Sequence, residues 1–189
     1  MSSAPSPRVA PSERLIHVVQ GEYFVTDEAN VVLTTILGSC VATCMWDPVA
    51  GVGGMNHFLL PGDEDSGTEE MKYGVNAMEL LVNGLLKKGA LRSRLQAKLF
   101  GGAQVIAGLS DIGGKNAAFA EKFLRLENIP CAGQSLRGDR ARRVRFWPTT
   151  GRAGQLLLDS TKTDVFSAER ARPTAPAAAP SAAGSVELF

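Results

Sequence analysis

Apolar and polar residues follow two periods along this chain, one typical of strands and one of helices. Seven short runs bounded by turn residues suit strands, and the first two are rich in Val, Ile, Thr and Trp. They predict strands over residues 31–37, 41–46, 55–60, 95–100, 131–135, 143–147 and 154–158. Asp47-Pro48 begins the turn after the second strand, and glycines follow it.

Helical periodicity appears after the third predicted strand. Apolar residues recur at spacings of three and four over 71–85, which predicts a helix. Ser66 and Glu69 have the spacing of a capping box at its start. A second apolar helical face predicts another helix, with Asn116 as its N-cap and its end before Pro130.

This order of elements predicts one α+β domain, a layered arrangement of mostly antiparallel β-sheet packed with two main helices. The ends have a different composition, with Pro and Ser over 1–13 and Ala and Pro over 168–189. Neither end holds enough apolar surface to offset the entropy of ordering. We expect a domain over 14–167 between two disordered segments.

Composition narrows the class of protein. The 189 residues are 44% hydrophobic and 21% charged, as in an ordinary globular domain. The net charge of +1 gives no electrostatic field strong enough to indicate binding to nucleic acid. The arginines of 137–145 lack stacking aromatics, which favours a solvated strand edge. No apolar run suits a membrane span and no signal-peptide core is present, so we expect a cytoplasmic protein without membrane insertion. Three cysteines, an odd number, indicate reduced thiols.

Candidate nucleophiles and bases are few: the chain has two histidines and three cysteines. Cys40 follows an apolar strand in Leu37-Gly38-Ser39-Cys40. Small residues before a nucleophile allow a sharp bend and leave backbone N–H groups to bind an oxyanion. The alternative is a buried, inert cysteine beside a turn, which is a common use of the residue.

His57 strengthens the catalytic interpretation of Cys40. Folding the chain back at 48–50 brings 55–60 antiparallel to 39–44, with His57 opposite Cys40 or one pair away. An imidazole at that distance can take the thiol proton and later protonate a leaving amine. Nearby glycines can hold a bulge, so the face that His57 occupies stays open. The alternative for His57 is a histidine bound to backbone at the edge of the core.

Thr34 and Thr35 precede the cysteine on its strand, and either can supply a hydroxyl or carbonyl group that orients the imidazole. Cys40, Cys44 and His57 do not form a four-ligand zinc pattern, and no Cys-x-x-Cys pair exists. Gly101-Gly102-Ala103 lacks the lysine of a phosphate loop and indicates close backbone packing instead. We therefore expect neither a metal nor another cofactor.

Six segments carry a family resemblance in their order, spacing and residue types. They read LGSCVATCMWDP, GGMNHFLLP, KYGVNAMELLVNGLLKKGA, AKLFGGA, DIGGKN and RGDRARRVRF. Together they resemble the chemoreceptor glutamine deamidase family, CheD, of bacterial and archaeal chemotaxis. The resemblance extends from about Glu22 to about Leu158. One departure is Arg137-Gly138, where the family often has paired glycines.

The resemblance implies Cys40 as nucleophile, His57 as general base and Thr34 as the third member of the site. The implied reaction hydrolyses a glutamine carboxamide in a chemoreceptor's cytoplasmic helical bundle to glutamate and ammonia. Some members also hydrolyse receptor glutamyl methyl esters. A CheC-type phosphatase is an implied partner, and the implied fold resembles the catalytic domains of deamidating toxins.

Two other functions fit the same residues. The domain can act as a non-catalytic binding partner and regulator of a CheC-type phosphatase, or the dyad can serve a cysteine peptidase or acyltransferase. The surrounding pocket decides between these reactions, and the sequence does not reveal it.

Overall fold

The computed structural model describes residues 12–60, 67–104 and 111–158, apart from the side chains of Gly67, Glu69 and Glu70. Within these ranges the strands are β1 Arg14–His17, β2 Tyr23–Thr26, β3 Val31–Leu37, β4 Val41–Asp47, β5 Val52–Phe58, β6 Gln96–Gly101, β7 Cys131–Leu136, β8 Arg142–Trp147 and β9 Arg152–Leu157. The helices are α1 Gly67–Lys87 and α2 Ile112–Leu126, with a 3-10 turn at Arg92–Arg94.

The strands form two sheets. One has four strands in the order β1-β3-β8-β9, and the other has five in the order β2-β5-β4-β6-β7. Only β1–β3 and β6–β7 are parallel among these pairs. The expected α+β class with a mostly antiparallel sheet is confirmed.

The five-stranded sheet is covered on both faces, which explains why every residue of β4 and β5 is buried. Because side chains alternate along a strand, Val41 and Met45 of β4 join the apolar cluster that includes α1 and α2. Ala42 and Cys44, on the opposite face, join the cluster that includes β3 and β8. The molecule therefore has three layers, with the four-stranded sheet and the helices on either side of the five-stranded sheet.

The two strands that precede residue 31 do not appear in the sequence interpretation. Both β1 and β2 have four residues, and most of β1 is exposed, so the apolar pattern is short and weak. The seven expected strands are all present, although the third begins at Val52 rather than residue 55.

The predicted N-cap of the second helix is wrong. Asp111 is the N-cap, and its carboxylate accepts the N–H of Gly114 at 2.8 Å. The helix therefore includes Gly113-Gly114, a pair typical of loops. A Cβ on Gly113 would lie 2.5 Å from the carbonyl oxygen of Ala103, so glycine lets this helix approach the end of β6. Asn116 is a buried residue inside the helix.

Other expectations concern parts of the chain outside the described ranges. Ser66 of the predicted capping box, nearly all of the N-terminal segment 1–13 and the whole tail 168–189 lie there. Within the described residues, no helix combines the length and the apolar content that crossing a membrane requires.

Candidate functional site

The loop between β3 and β4 holds Cys40 in a fixed backbone conformation. The carbonyl oxygens of residues 38–40 all accept hydrogen bonds from neighbouring elements. The donors are Ala103 N–H to Gly38 (2.8 Å), Asn116 Nδ2 to Ser39 (2.9 Å) and Gly102 N–H to Cys40 (2.7 Å). In a trans peptide the N–H points opposite to the carbonyl, so the Cys40 N–H points away from α2.

Gly101 and Gly102 make this anchoring possible. Both have positive φ, 110° and 66°, which a glycine adopts at little cost. A Cβ on Gly101 would lie 2.1 Å from the Cys40 carbonyl oxygen. The close backbone packing expected for this glycine pair is confirmed.

Asn116 connects the nucleophile loop to the strand end that follows His57. Its Oδ1 accepts the N–H of Leu60 at 2.8 Å, while its Nδ2 donates to Ser39. The side chain is fully buried and both ends of its amide are bound. In the sequence, Asn116 fits the pattern of a helix N-cap, so its role as a bridge between these two segments was not predicted.

The β4–β5 hairpin places His57 on the same face as Cys40. Its register is continuous, with Ala42 paired to His57 and no bulge between the strands. Cys40 lies two residues before Ala42, which is the next position on one face of a strand. Cys40 also packs against the apolar cluster between the two sheets, to which Ala42 belongs. The sequence did not determine which face of the strand His57 occupies. In the structure it is the face of the five-stranded sheet that packs against the four-stranded sheet.

Among the residues that the structure describes, the His57 imidazole has hydrogen-bond partners at one of its two nitrogens. Nδ1 lies 2.9 Å from Thr35 Oγ1 and 3.3 Å from the Val18 carbonyl oxygen. Because a carbonyl only accepts, a hydrogen bond between Nδ1 and Val18 places the proton on Nδ1 and leaves the lone pair on Nε2. Nε2 is buried and has no hydrogen-bond partner among the described residues.

Burial governs the charge of this imidazole. His57 is 4% exposed, and removal from water lowers its pKa to about 4, against the smaller opposing effect of the Val18 carbonyl. The ring is therefore neutral at pH 7. A neutral imidazole with an available Nε2 lone pair is the form that accepts a proton from a thiol.

The hydroxyl at the imidazole belongs to Thr35 rather than Thr34. Thr34 Oγ1 instead donates to the Val144 carbonyl at 2.8 Å, on the four-stranded sheet. The main chain of Thr34 is connected to the imidazole through Val18, because the Thr34 carbonyl accepts the Val18 N–H at 3.0 Å. Thr34 thus positions Val18, whose own carbonyl contacts His57. Alternation of side chains along β3 separates these two adjacent threonines.

The turn between β1 and β2 lies over Cys40 and His57. The Gly21 N–H donates to the His57 carbonyl at 2.7 Å, and the His57 N–H donates to the Glu22 carbonyl at 3.0 Å. The Cys40 thiol donates to Gln20 Oε1 at 3.5 Å. The sequence interpretation missed this turn because the contacts are mostly main-chain and join distant parts of the chain.

The other cysteines have different surroundings. Cys44 is fully buried opposite Met55, and burial raises the pKa of its thiol strongly. Cys131 is exposed at the start of β7. Across 12–60, 67–104 and 111–158, no three His, Cys, Asp or Glu side chains are grouped so as to hold a metal ion.

Comparison with known proteins gives consistent similarities. A family model described as CheD chemotactic sensory transduction matches residues 59–155. Relatives from Caulobacter sp. (strain K31) and Acidiphilium cryptum (strain JF-5) are each 56% identical, over 92% and 93% of this chain and 92% and 94% of their own lengths. One from Rhizobium leguminosarum bv. trifolii is 55% identical over 86% of this chain and 90% of its own. Each is named "Probable chemoreceptor glutamine deamidase CheD".

Proposed function

Because this chain belongs to the CheD family of chemotactic sensory transduction proteins, we propose that it is a chemoreceptor glutamine deamidase. It hydrolyses glutamine side chains of chemoreceptors to glutamate and ammonia, with Cys40 as nucleophile and His57 as general base. The observation that supports this most directly is the buried Nε2 of His57, which has no hydrogen-bond partner within the described part of the chain and lies on the face that Cys40 occupies. A buried polar atom without a partner normally costs about 1–3 kcal/mol, which a proton-transfer role explains.

The first half of the reaction forms a thioester. Nε2 of His57 takes the S–H proton of Cys40, and the thiolate bonds to Cδ of the substrate glutamine while the carbonyl electron pair moves to oxygen. The oxyanion then collapses, and the amide nitrogen leaves as ammonia after taking the proton from the imidazolium. Since burial lowers the pKa of His57, that imidazolium is more acidic than an ordinary one and returns the proton readily.

The second half releases glutamate. His57 takes a proton from water, and the resulting hydroxide adds to the thioester carbon. Collapse of this second oxyanion breaks the C–S bond, and Cys40 leaves as thiolate and regains a proton from the imidazolium. The products are a glutamate carboxyl group and the starting enzyme.

Both oxyanions need a hydrogen-bond donor, and the Cys40 N–H suits that role. The carbonyl of the same peptide is bound to Asn116, which fixes the direction of the N–H. A donor that is already oriented stabilises the developing charge without reorganisation. Asn116 therefore supports catalysis as a positioning residue.

Thr35 and Thr34 complete the site in different ways. Thr35 and the Val18 carbonyl hold Nδ1, which fixes the ring orientation and the tautomer. Thr34, the third member that the resemblance implies, contributes through its main-chain contact with Val18. We assign the side-chain contact with the imidazole to Thr35.

The location of the enzyme follows from its proposed substrate. Glutamines of a receptor's cytoplasmic helical bundle are reached only from the cytoplasm, so we place the enzyme there. On the resemblance alone, a CheC-type phosphatase is a further proposed partner. A co-purification of the two proteins tests that proposal independently of deamidation.

Peptide mass mapping of a purified receptor cytoplasmic domain tests the function. The wild-type enzyme is expected to add about one dalton at specific glutamines, and Cys40→Ala and His57→Ala are expected to add none. Cys131→Ala, which removes an exposed cysteine, is the matched control and should retain activity. Backbone cleavage would indicate a peptidase instead, no change would indicate a binding module, and full activity of Cys40→Ala would reject the mechanism.

A further inference from the structure

The contact between the Cys40 thiol and Gln20 takes no part in the proton transfers of the deamidation. Gln20 is exposed on the β1–β2 turn, and its Oε1 accepts the Cys40 S–H at 3.5 Å. The turn is anchored beneath this side chain, because Gly21 and Glu22 both bind the main chain of His57. An exposed side chain on an anchored turn thus touches the sulfur from the exposed side of the site.

The chemistry of a carboxamide gives this contact two states. With the thiol protonated, only the oxygen of Gln20 can accept the S–H. Once His57 holds the proton, the sulfur no longer donates to Gln20, and the same carboxamide can present the two N–H groups of its Nε2 to another acceptor in the site. Rotation about the terminal torsion of glutamine exchanges the two ends, and that torsion is broad and nearly two-fold.

We propose that Gln20 is a catalytic residue that supplies the second donor of the oxyanion site. When the thiolate bonds to Cδ of the substrate and the carbonyl electron pair moves to oxygen, Nε2–H of Gln20 donates to that oxygen beside the Cys40 N–H. Gln20 gains and loses no proton in this step. The inference rests on the proposed deamidation, because it assigns a role within that reaction.

Two substitutions of Gln20 distinguish the loss of its hydrogen-bond donor from the loss of its side-chain volume. Gln20→Ala removes the carboxamide, and Gln20→Glu keeps its shape while replacing the donor end with a second acceptor. Gln155→Ala and Gln155→Glu, at an exposed position on β9, are the matched controls. Loss of an oxyanion donor lowers kcat by roughly 100-fold. We expect that loss in both Gln20 variants with little change in KM, and wild-type kinetics in the controls.

Alkylation of Cys40 by iodoacetamide provides a readout without an oxyanion, since the thiolate displaces iodide directly. We expect its rate to stay within about twofold of wild type in Gln20→Ala, because no carbonyl oxygen gains charge in that step. If Gln20→Ala turned over substrate as fast as wild type or faster, the proposal would be overturned. If its Cys40 were also alkylated faster, Gln20 would serve only to shield the thiol from solvent. A parallel loss of turnover and alkylation would also overturn the proposal, because the side chain would then act on the thiol alone.

A receptor peptide with an aldehyde in place of the glutamine carboxamide tests Gln20 without turnover. The Cys40 thiol adds to the aldehyde to give a tetrahedral thiohemiacetal, whose oxygen occupies the oxyanion position. We expect Gln20→Ala to weaken this binding about tenfold or more, and equal affinity would reject the role. If wild type binds the aldehyde through Gln20 but deamidates no receptor, the proposed function fails while the donor assignment stands.

Discussion

The two ends of the β4–β5 hairpin each bury a titratable side chain, and they satisfy its polar atoms to different extents. At the turn end, Asp47 is fully buried and accepts N–H groups from Val49, Ala50 and Leu91 together with the guanidinium of Arg94. At the other end, His57 is bound at Nδ1, and its Nε2 has no partner within the described chain.

The difference distinguishes a structural polar group from a reactive one. Burial alone would raise the pKa of Asp47, but Arg94 and the backbone donors outweigh it and hold that pKa well below its usual range. His57 lacks such compensation, and burial lowers its pKa to about 4. Saturated hydrogen bonding fixes the charge of Asp47, whereas one unsatisfied nitrogen keeps His57 able to move a proton.

Replacement of His57 should have the largest effect. His57→Gln removes the base and the acid of the proposed mechanism, so kcat/KM for receptor deamidation should fall by roughly 1,000-fold or more. His17→Gln, which changes the other histidine on the exposed strand β1, should retain wild-type activity. Ammonia release measures both, and a His57→Gln enzyme within tenfold of wild type would contradict the account.

Falling pH should destabilise the protein through His57. The ordinary pKa of 6.5 applies to the unfolded chain, and the folded value is about 4. Between these values the unfolded chain binds more protons, so stability is full above pH 6.5 and falls by about 3 kcal/mol toward pH 4. Urea unfolding of wild type and His57→Gln across this range isolates the effect. Equal pH slopes in the two proteins would show that folding does not lower the pKa of His57.

Replacement of Asp47 should weaken the fold and leave the chemistry intact. Asp47→Asn breaks the pairing with Arg94, which is partly exposed, so we expect a loss of roughly 2 kcal/mol in the free energy of unfolding. Activity measured well below the unfolding temperature should stay near wild type. A large fall in kcat without a fall in stability would mean that the two ends of the hairpin are not separate in function.

The adjacent threonines of β3 allow a finer version of the same comparison. Thr35→Val removes the hydroxyl at His57 Nδ1, and we expect kcat to fall about tenfold while the Val18 contact preserves the tautomer. Thr34→Val removes a hydrogen bond to Val144, so it should cost about 1 kcal/mol of stability and little activity. The reverse pattern of kinetics and urea unfolding would return the side-chain role to Thr34.

The smallest effect is expected at Arg137, which lies on the exposed loop after β7 and touches the neighbourhood of the hairpin through its main chain, by the Arg137 N–H to the Gly101 carbonyl. Its φ of 67° is a left-handed conformation that costs a non-glycine residue roughly 1 kcal/mol. Its ion pair with Glu121, partly exposed, returns less than about 1 kcal/mol. Arg137→Gly, which restores the family's glycine pair, should therefore change stability by under about 1 kcal/mol and leave kcat unchanged. A loss of several kcal/mol in the free energy of unfolding, measured with urea, would show that the Arg137–Glu121 ion pair supports the fold.

The sequence predicts those parts of the molecule that short segments determine. The hairpin that carries Cys44 and Met55 follows from two β-rich runs and a turn, and helix periodicity predicts α1. The choice between Thr34 and Thr35 depends on how the two sheets face each other, which no local pattern contains. Asn116 has the appearance of a helix cap until the packing of α2 against the nucleophile loop is known.

Nitrogen-15 NMR of the His57 imidazole in the wild-type protein at pH 7 tests the central claim most directly. The account predicts a neutral ring protonated at Nδ1, with a shift for Nε2 typical of an available lone pair, and no protonation until the pH approaches about 4. A proton found on Nε2, with Nδ1 accepting from Thr35, would leave no base for Cys40 and would contradict the mechanism.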